Sequence, residues 1–196
     1  MNAMQLPEDA FIVGACGTVS FYKGIDIFIQ LARAILRRMG DKPVCFIWVG
    51  DVRTGDVEGE VFRRMVRRDI SKLGLDRFVR ITGSVPDPED YFCLFDVFTL
   101  TSRVDAFPLV VLEAAQAGKP VICFDGAGGA KEFVADDCGF AAPYLDIDAM
   151  ADKVIELLSS EEKRGRCGRN ARERVLRERN VSVAAPQILK VIERYL

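Results

Sequence analysis

Six short apolar runs, rich in β-branched and aromatic residues, recur along the chain, and a longer amphipathic stretch separates each from the next. The runs are FIVGAC (11 to 16), VCFIWVG (44 to 50), RFVRITG (77 to 83), DVFTLTS (96 to 102), PVICFD (120 to 125) and CGFAAP (138 to 143). Helical patterns lie near 24 to 39, 58 to 73, 88 to 95, 108 to 118, 129 to 135 and 147 to 159. A strand that is apolar on both faces must be covered on both, and strands divided by helices join in parallel through right-handed crossovers. The pattern predicts an α/β protein: a doubly wound, Rossmann-like parallel sheet of about six strands with helices on both faces. Such a sheet takes ligands in the crevice beyond the carboxyl ends of its strands, so the loops after each run are where function is sought.

With 196 residues, 49% of them hydrophobic, the chain can bury a sizeable core. Residues 1 to 196 are expected to form one domain, with the charged and amphipathic stretch from about 160 as helices packed on its edge. Basic and acidic residues nearly balance, at 27 and 29, which argues against a nucleic-acid partner. An anionic ligand must then be held locally. The chain has no histidine, which excludes a histidine triad, a histidine metal site and a histidine general base from these residues. Its six cysteines, at 16, 45, 93, 123, 138 and 167, are too widely spaced for CxxC pairs and read as small buried hydrophobes of a reducing compartment. Neither a disulfide nor a metal site is expected.

The longest apolar runs fall short of a membrane span, and MNAMQLPEDAF at the start lacks the basic-then-apolar order of a leader. A cytoplasmic location is expected, where the sequon Asn180-Val181-Ser182 has no meaning. On the second helix Arg63, Arg64, Arg67, Arg68 and Lys72 interleave with Val61, Phe62, Met65, Val66 and Ile70. We read a solvated basic face whose apolar stripe turns to the core, with room for a weak membrane-surface contact.

The chemistry gathers in four strand-end loops. TSRVDAFPLVVLEAAQAG sets Asp105 and Glu113 eight residues apart across a helix that opens near Pro108. Free N–H groups at that helix end favour a phosphate, and carboxylates accept hydrogen bonds from sugar hydroxyls. CGTVSFYKGID brings Gly17 and then Lys23-Gly24 to a helix start, where a lysine can reach a phosphate. This is neither a Walker A loop nor a dinucleotide fingerprint. RITGSVPDPED carries Gly83, Ser84 and Val85, and DGAGGAKEFV carries Gly128, Gly129 and Glu132 before a helix from Ala130. Plainer roles stay open: a solvated Lys23, a capping or turn Asp105, and a Glu113 in a buried ion pair or on an exposed helix turn.

In their order and spacing these segments, over residues 10 to 160, resemble the donor-binding half of the group 1 glycosyltransferases, retaining enzymes of the two-domain GT-B fold. The family's E-x7-E signature reads here as Asp105 to Glu113, its GR…KG segment as Lys23 and Gly24 with Thr18 in the arginine's place, its G-x-V segment as Gly83 to Val85, and its GG-x-x-E segment as Gly128, Gly129 and Glu132. The resemblance implies that Asp105 contacts the donor sugar and Glu113 the ribose hydroxyls. It gives Lys23, Thr18 and the backbone around Phe107, Pro108 and Leu109 to the diphosphate, with Lys23 and Asp105 as the catalytic groups. Gly83 and Val85 would border the base, Gly17, Gly129 and Glu132 would approach the ligand, and Arg103 would add a second cation or brace its loop. The donor would be a UDP-, GDP- or ADP-linked sugar, used without cofactor or metal. The family places a second, acceptor-binding domain before this one, which the chain lacks, so binding without transfer is expected of it alone. Thr18 and the short Asp105 also motivate a different class, a non-catalytic nucleotide-binding or interaction domain. A receiver-like domain would need an acidic cluster where the first strand ends in Cys16-Gly17.

Overall fold

A computed structural model describes residue 7 and residues 9 to 134 and 137 to 195. Most of the stretch read for a leader, and the last residue of the helical pattern ending at 135, lie outside the described residues. The strands are β1 (Phe11–Cys16), β2 (Val44–Val49), β3 (Val79–Ile81), β4 (Val97–Leu100), β5 (Val121–Phe124) and β6 (Gly139–Ala142). They form one parallel sheet in the order β3-β2-β1-β4-β5-β6, the doubly wound arrangement that the alternation predicts. All six residues of β2 are buried, because it is paired on both sides and covered on both faces.

The helices are α1 (Ile25–Met39), α2 (Val57–Lys72), α3 (Glu89–Leu94), α4 (Leu109–Gln116), α5 (Ala130–Val134), α6 (Ile147–Ser159), α7 (Glu161–Arg174) and, after a π-helical turn at Val175–Arg179, α8 (Val181–Ile192). The two-residue period of the strands divides their side chains between two cores. Phe46, Trp48, Val13 and Phe124 point to one layer with Phe28, Leu31 and Ile35 of α1, Val66 of α2 and Leu157 of α6. Ile47, Val49, Phe98 and Cys123 point to the other, with Phe92 of α3, Val111 of α4, Phe133 of α5 and Ala171 of α7. Each buried large side chain contributes about 1.5–3 kcal/mol, so the sheet is held firmly from both faces.

Two expectations need correcting. On α2 only Val66 and Ile70 of the apolar stripe are buried, while Val61 and Met65 are 45% and 57% exposed. The helical period carries 62, 66 and 70 to the sheet and turns 61, 65 and 68 to the opposite face. Arg63 is not on the solvated basic face, since it is half-buried in ion pairs with Glu60 (2.6 Å) and Asp51 (3.3 Å). Of the tail helices, α7 packs on the domain through Cys167, Gly168 and Ala171 as expected, but α8 buries no residue. Its Val181, Ile188, Leu189, Val191 and Ile192 are all exposed. The cysteines are free; burial pushes the Cys123 and Cys138 thiols up to about 12, whereas Cys93 is exposed on α3. Among the described residues no helix is long and apolar enough to cross a membrane.

Candidate functional site

Strand order reverses between β1 and β4, and the loops leaving these strands and their neighbours meet there. Backbone pairing locks two of the loops together. The N–H of Asp105 donates to Ala127 O at 2.8 Å, that of Gly129 donates to Ala106 O at 2.9 Å, and Asp105 and Gly128 form an isolated parallel bridge. Gly128 has φ +139°, and a Cβ there would lie 1.7 Å from Asp105 O, so this approach requires glycine. The β1–α1 loop is tied to β4 in the same manner. Thr101 Oγ1 donates to Gly24 O at 3.0 Å, and a Cβ on Gly24, at φ +72°, would meet Thr101 O at 2.0 Å.

These ties bring Lys23 and Asp105 together across 82 residues of chain, with Nζ donating to Oδ2 at 2.5 Å. The side chains are 33% and 13% exposed, so the pair is partly desolvated and its attraction is less screened than that of a surface pair. Asp105 is no helix cap: α4 begins at Pro108 without a side-chain cap, and α1 begins at Gly24 likewise. By contrast α2, α6, α7 and α8 are capped by Asp56, Asp146, Ser160 and Asn180. The α3 helix also starts without a side-chain cap, at Pro88, but it is the uncapped starts of α1 and α4 that flank the Lys23–Asp105 pair and leave positive backbone dipole ends there. Phe107 is held between Gly129 and the Arg179 guanidinium, which lies 5.4 Å from its ring, while Pro108 is buried and Leu109 exposed.

Glu113 sits half-buried on α4, and no ion pair reaches it among the described residues. It lines a hollow of about 210 Å³ with Glu89 and Arg172. Burial first, and then the charge of Glu89, raise its pKa. The Cys16 thiol, at the end of β1, is pushed up to about 11 by burial and then by Glu113, with Lys23 pulling the other way. Cys16 therefore stands in the field of both charged groups. The ion pair considered for Glu113 from the sequence is not what forms.

Gly17 is fixed as the floor of an adjacent cleft: its N–H donates to Val49 O, and its carbonyl accepts from Trp48 Nε1, both at 2.9 Å. That cleft, of about 430 Å³, is lined by Gly17, Thr18, Asp51, Arg53, Ser84 and Val85. Gly83 bridges to Gly50 beside it. A second cleft of about 480 Å³ lies on the other side of Thr18, between Lys23, Arg53, Phe62 and the exposed Phe21 and Tyr22.

Arg103 turns out to be a brace. It donates to both carboxylate oxygens of Asp26 at 2.9 and 2.6 Å and to Phe21 O at 2.6 Å, and it stacks 3.8 Å from the Phe21 ring centre. Tyr144 secures the same loop by donating its hydroxyl to Arg103 O at 3.0 Å. Glu132 is exposed on the five-residue α5, and Gly129, expected to offer its backbone to a ligand, already spends its N–H on Ala106. Sequence reasoning passes over Asp26 and Arg53, both of which the fold brings to the site. Each lies in or beside a loop at a strand's carboxyl end, which was the signal available. Among the described residues no group of three histidine, cysteine or acidic side chains is placed to hold a metal ion.

The family model described as "Glycosyl transferases group 1" matches residues 1–174. A D-inositol 3-phosphate glycosyltransferase of Corynebacterium urealyticum is 28% identical over 167 residues, covering 83% of this chain and 38% of that protein. The O-antigen chain mannosyltransferase C of Escherichia coli is 32% identical over 166 residues, covering 81% of this chain and 40% of that protein. Among solved structures, Anabaena HepE in complex with UDP has a TM-score of 0.84 and 25% identity, over 95% of this chain and 49% of that one. The chain thus spans less than half the length of these relatives.

Proposed function

The chain belongs to the group 1 glycosyltransferase family, and on that premise we propose that it is the donor-binding half of a retaining enzyme that moves a hexose from a nucleotide diphosphate to an acceptor. Its sheet is one half of the GT-B architecture, matching about half of its structural neighbours. The observation that carries the reading is the Lys23–Asp105 pair set between two uncapped helix starts. Lys23 and those N–H groups would stabilise charge on the departing diphosphate. Asp105 would hold the sugar through the oxygen not given to Lys23, and Glu113, without an ion-pair partner among the described residues, would accept from the ribose hydroxyls. UDP is the first donor nucleotide to test, because HepE, similar in fold and 25% identical, was crystallised with UDP and UDP-glucose.

In this proposal the reaction needs no metal, takes place in the cytoplasm, and requires an acceptor-binding domain of the kind the family resemblance implies. A closed cleft excludes water and completes the site, so the 196-residue chain alone should bind donor and transfer negligibly. The test incubates it with radiolabelled UDP-, GDP- and ADP-sugars and candidate acceptors, with and without an added acceptor domain. Multiple-turnover transfer by the isolated chain would overturn the incomplete-half reading, and failure to bind any of the three nucleotides would overturn donor binding itself.

A further inference from the structure

We propose that Arg53 is the second cation of the diphosphate cradle, an inference that rests on the nucleotide-sugar reading above. The argument is one of charge. A nucleotide diphosphate sugar brings two negative charges to the strand ends, and the cations already there are committed. Lys23 is neutralised by Asp105 at 2.5 Å, Arg103 by Asp26 at 2.6 Å, and Arg63 by Glu60 and Asp51 at 2.6 and 3.3 Å. A cradle built on the Lys23–Asp105 pair alone has no net positive side-chain charge, and binding a dianion there would rely on backbone dipoles.

Arg53 supplies what is missing. It stands in the loop between β2 and α2, exposed, and it lines both clefts together with Thr18. No carboxylate lies within ion-pair distance of it among the described residues. The acids nearest in the same loop have other work. Asp56 caps α2 by accepting from the Gly59 N–H at 2.9 Å, and Asp51 accepts from the Val52 N–H at 2.8 Å besides pairing with Arg63. Glu58 is exposed on the rim of the larger cleft. A guanidinium suits the task, since its planar fork matches two phosphate oxygens and stays charged at every working pH.

The test is calorimetric titration of the 196-residue chain with UDP, GDP and ADP, and with the matching nucleosides, for wild type, Arg53→Ala, Lys23→Ala, and Arg53→Ala combined with Thr18→Arg. Because Arg53 is exposed, the fold should survive its loss, and thermal melting checks that. We expect Arg53→Ala to weaken the tightest diphosphate about tenfold to a hundredfold while leaving its nucleoside unchanged. Thr18 borders the same two clefts, so an arginine grown from position 18 should recover most of the lost affinity. Wild-type diphosphate affinity in Arg53→Ala, an equal loss for diphosphate and nucleoside, or no recovery with Thr18→Arg would each overturn the proposal. If Lys23→Ala loses diphosphate affinity and Arg53→Ala does not, Arg53 falls and the donor reading stands. If wild type binds none of the three nucleotides, both fall.

Discussion

Replacing Glu113 by Gln should move stability and binding in opposite directions. This carboxylate is half-buried, shares its hollow with Glu89, and gains no compensating ion pair among the described residues. Its charge is therefore a cost to the fold. The cost comes first from partial burial and then from the charge of Glu89, and because the group keeps solvent contact it is screened to about 0.2–1 kcal/mol. In a chain of this size its removal raises Tm by about 0.4 to 4 °C. The effect depends on pH with a definite sign. A carboxyl whose folded pKa lies above its unfolded one penalises the fold only when ionised, so the gain is absent below about pH 4 and appears as pH rises through the raised folded pKa. Binding should change oppositely: loss of a charged acceptor for the ribose hydroxyls weakens nucleotide by roughly 1–3 kcal/mol at neutral pH. Scanning fluorimetry from pH 4 to 8, paired with calorimetry, reads both. A Glu113→Gln protein that melts lower than wild type and binds nucleotide equally well would refute the reasoning and make Glu113 a structural residue.

Two further substitutions test how the site is assembled. Lys23→Ala leaves Asp105, only 13% exposed, without its cation and should destabilise by about 1–3 kcal/mol, whereas adding Asp105→Ala should restore part of that loss; strictly additive urea-melt energies would mean the pair is not coupled. Gly24→Ala forces a Cβ to within 2.0 Å of Thr101 O at φ +72° and should destabilise by about 2 kcal/mol or more; an unchanged urea midpoint would show that the two loops are not tied there.

The sheet was legible because β2 and its neighbours are apolar on both faces, a pattern that survives any detail of packing. Strand and helix limits mostly agree with the expected ones to within a few residues. The α2 surface departs from the expected one because the apolar residues of VFRRMVRRDI come in adjacent pairs, and the sequence alone does not say which member of each pair the helical turn carries inward. The same limit applies to α8, whose amphipathic sequence implies a packed face that the described residues do not provide. At the site, Lys23, Asp105 and the paired glycines are visible as strand-end residues, but their union spans 82 positions and is decided by the parallel order of β1 and β4. The commitment of Arg103 to Asp26 is equally non-local, at 77 positions, so a motif alone left its role open.

The sheet's outer strands have a consequence for how the chain behaves at high concentration. An open sheet presents two unpaired edges, which invite strand addition from other chains. Here those edges are β3 and β6, only three and four residues long, and β3 carries Arg80 at its centre. Strands so short, one with a charge in the middle, offer too little hydrogen-bonding length to template cross-β growth. The long, fully apolar β2 is shielded from that fate by its position inside the sheet.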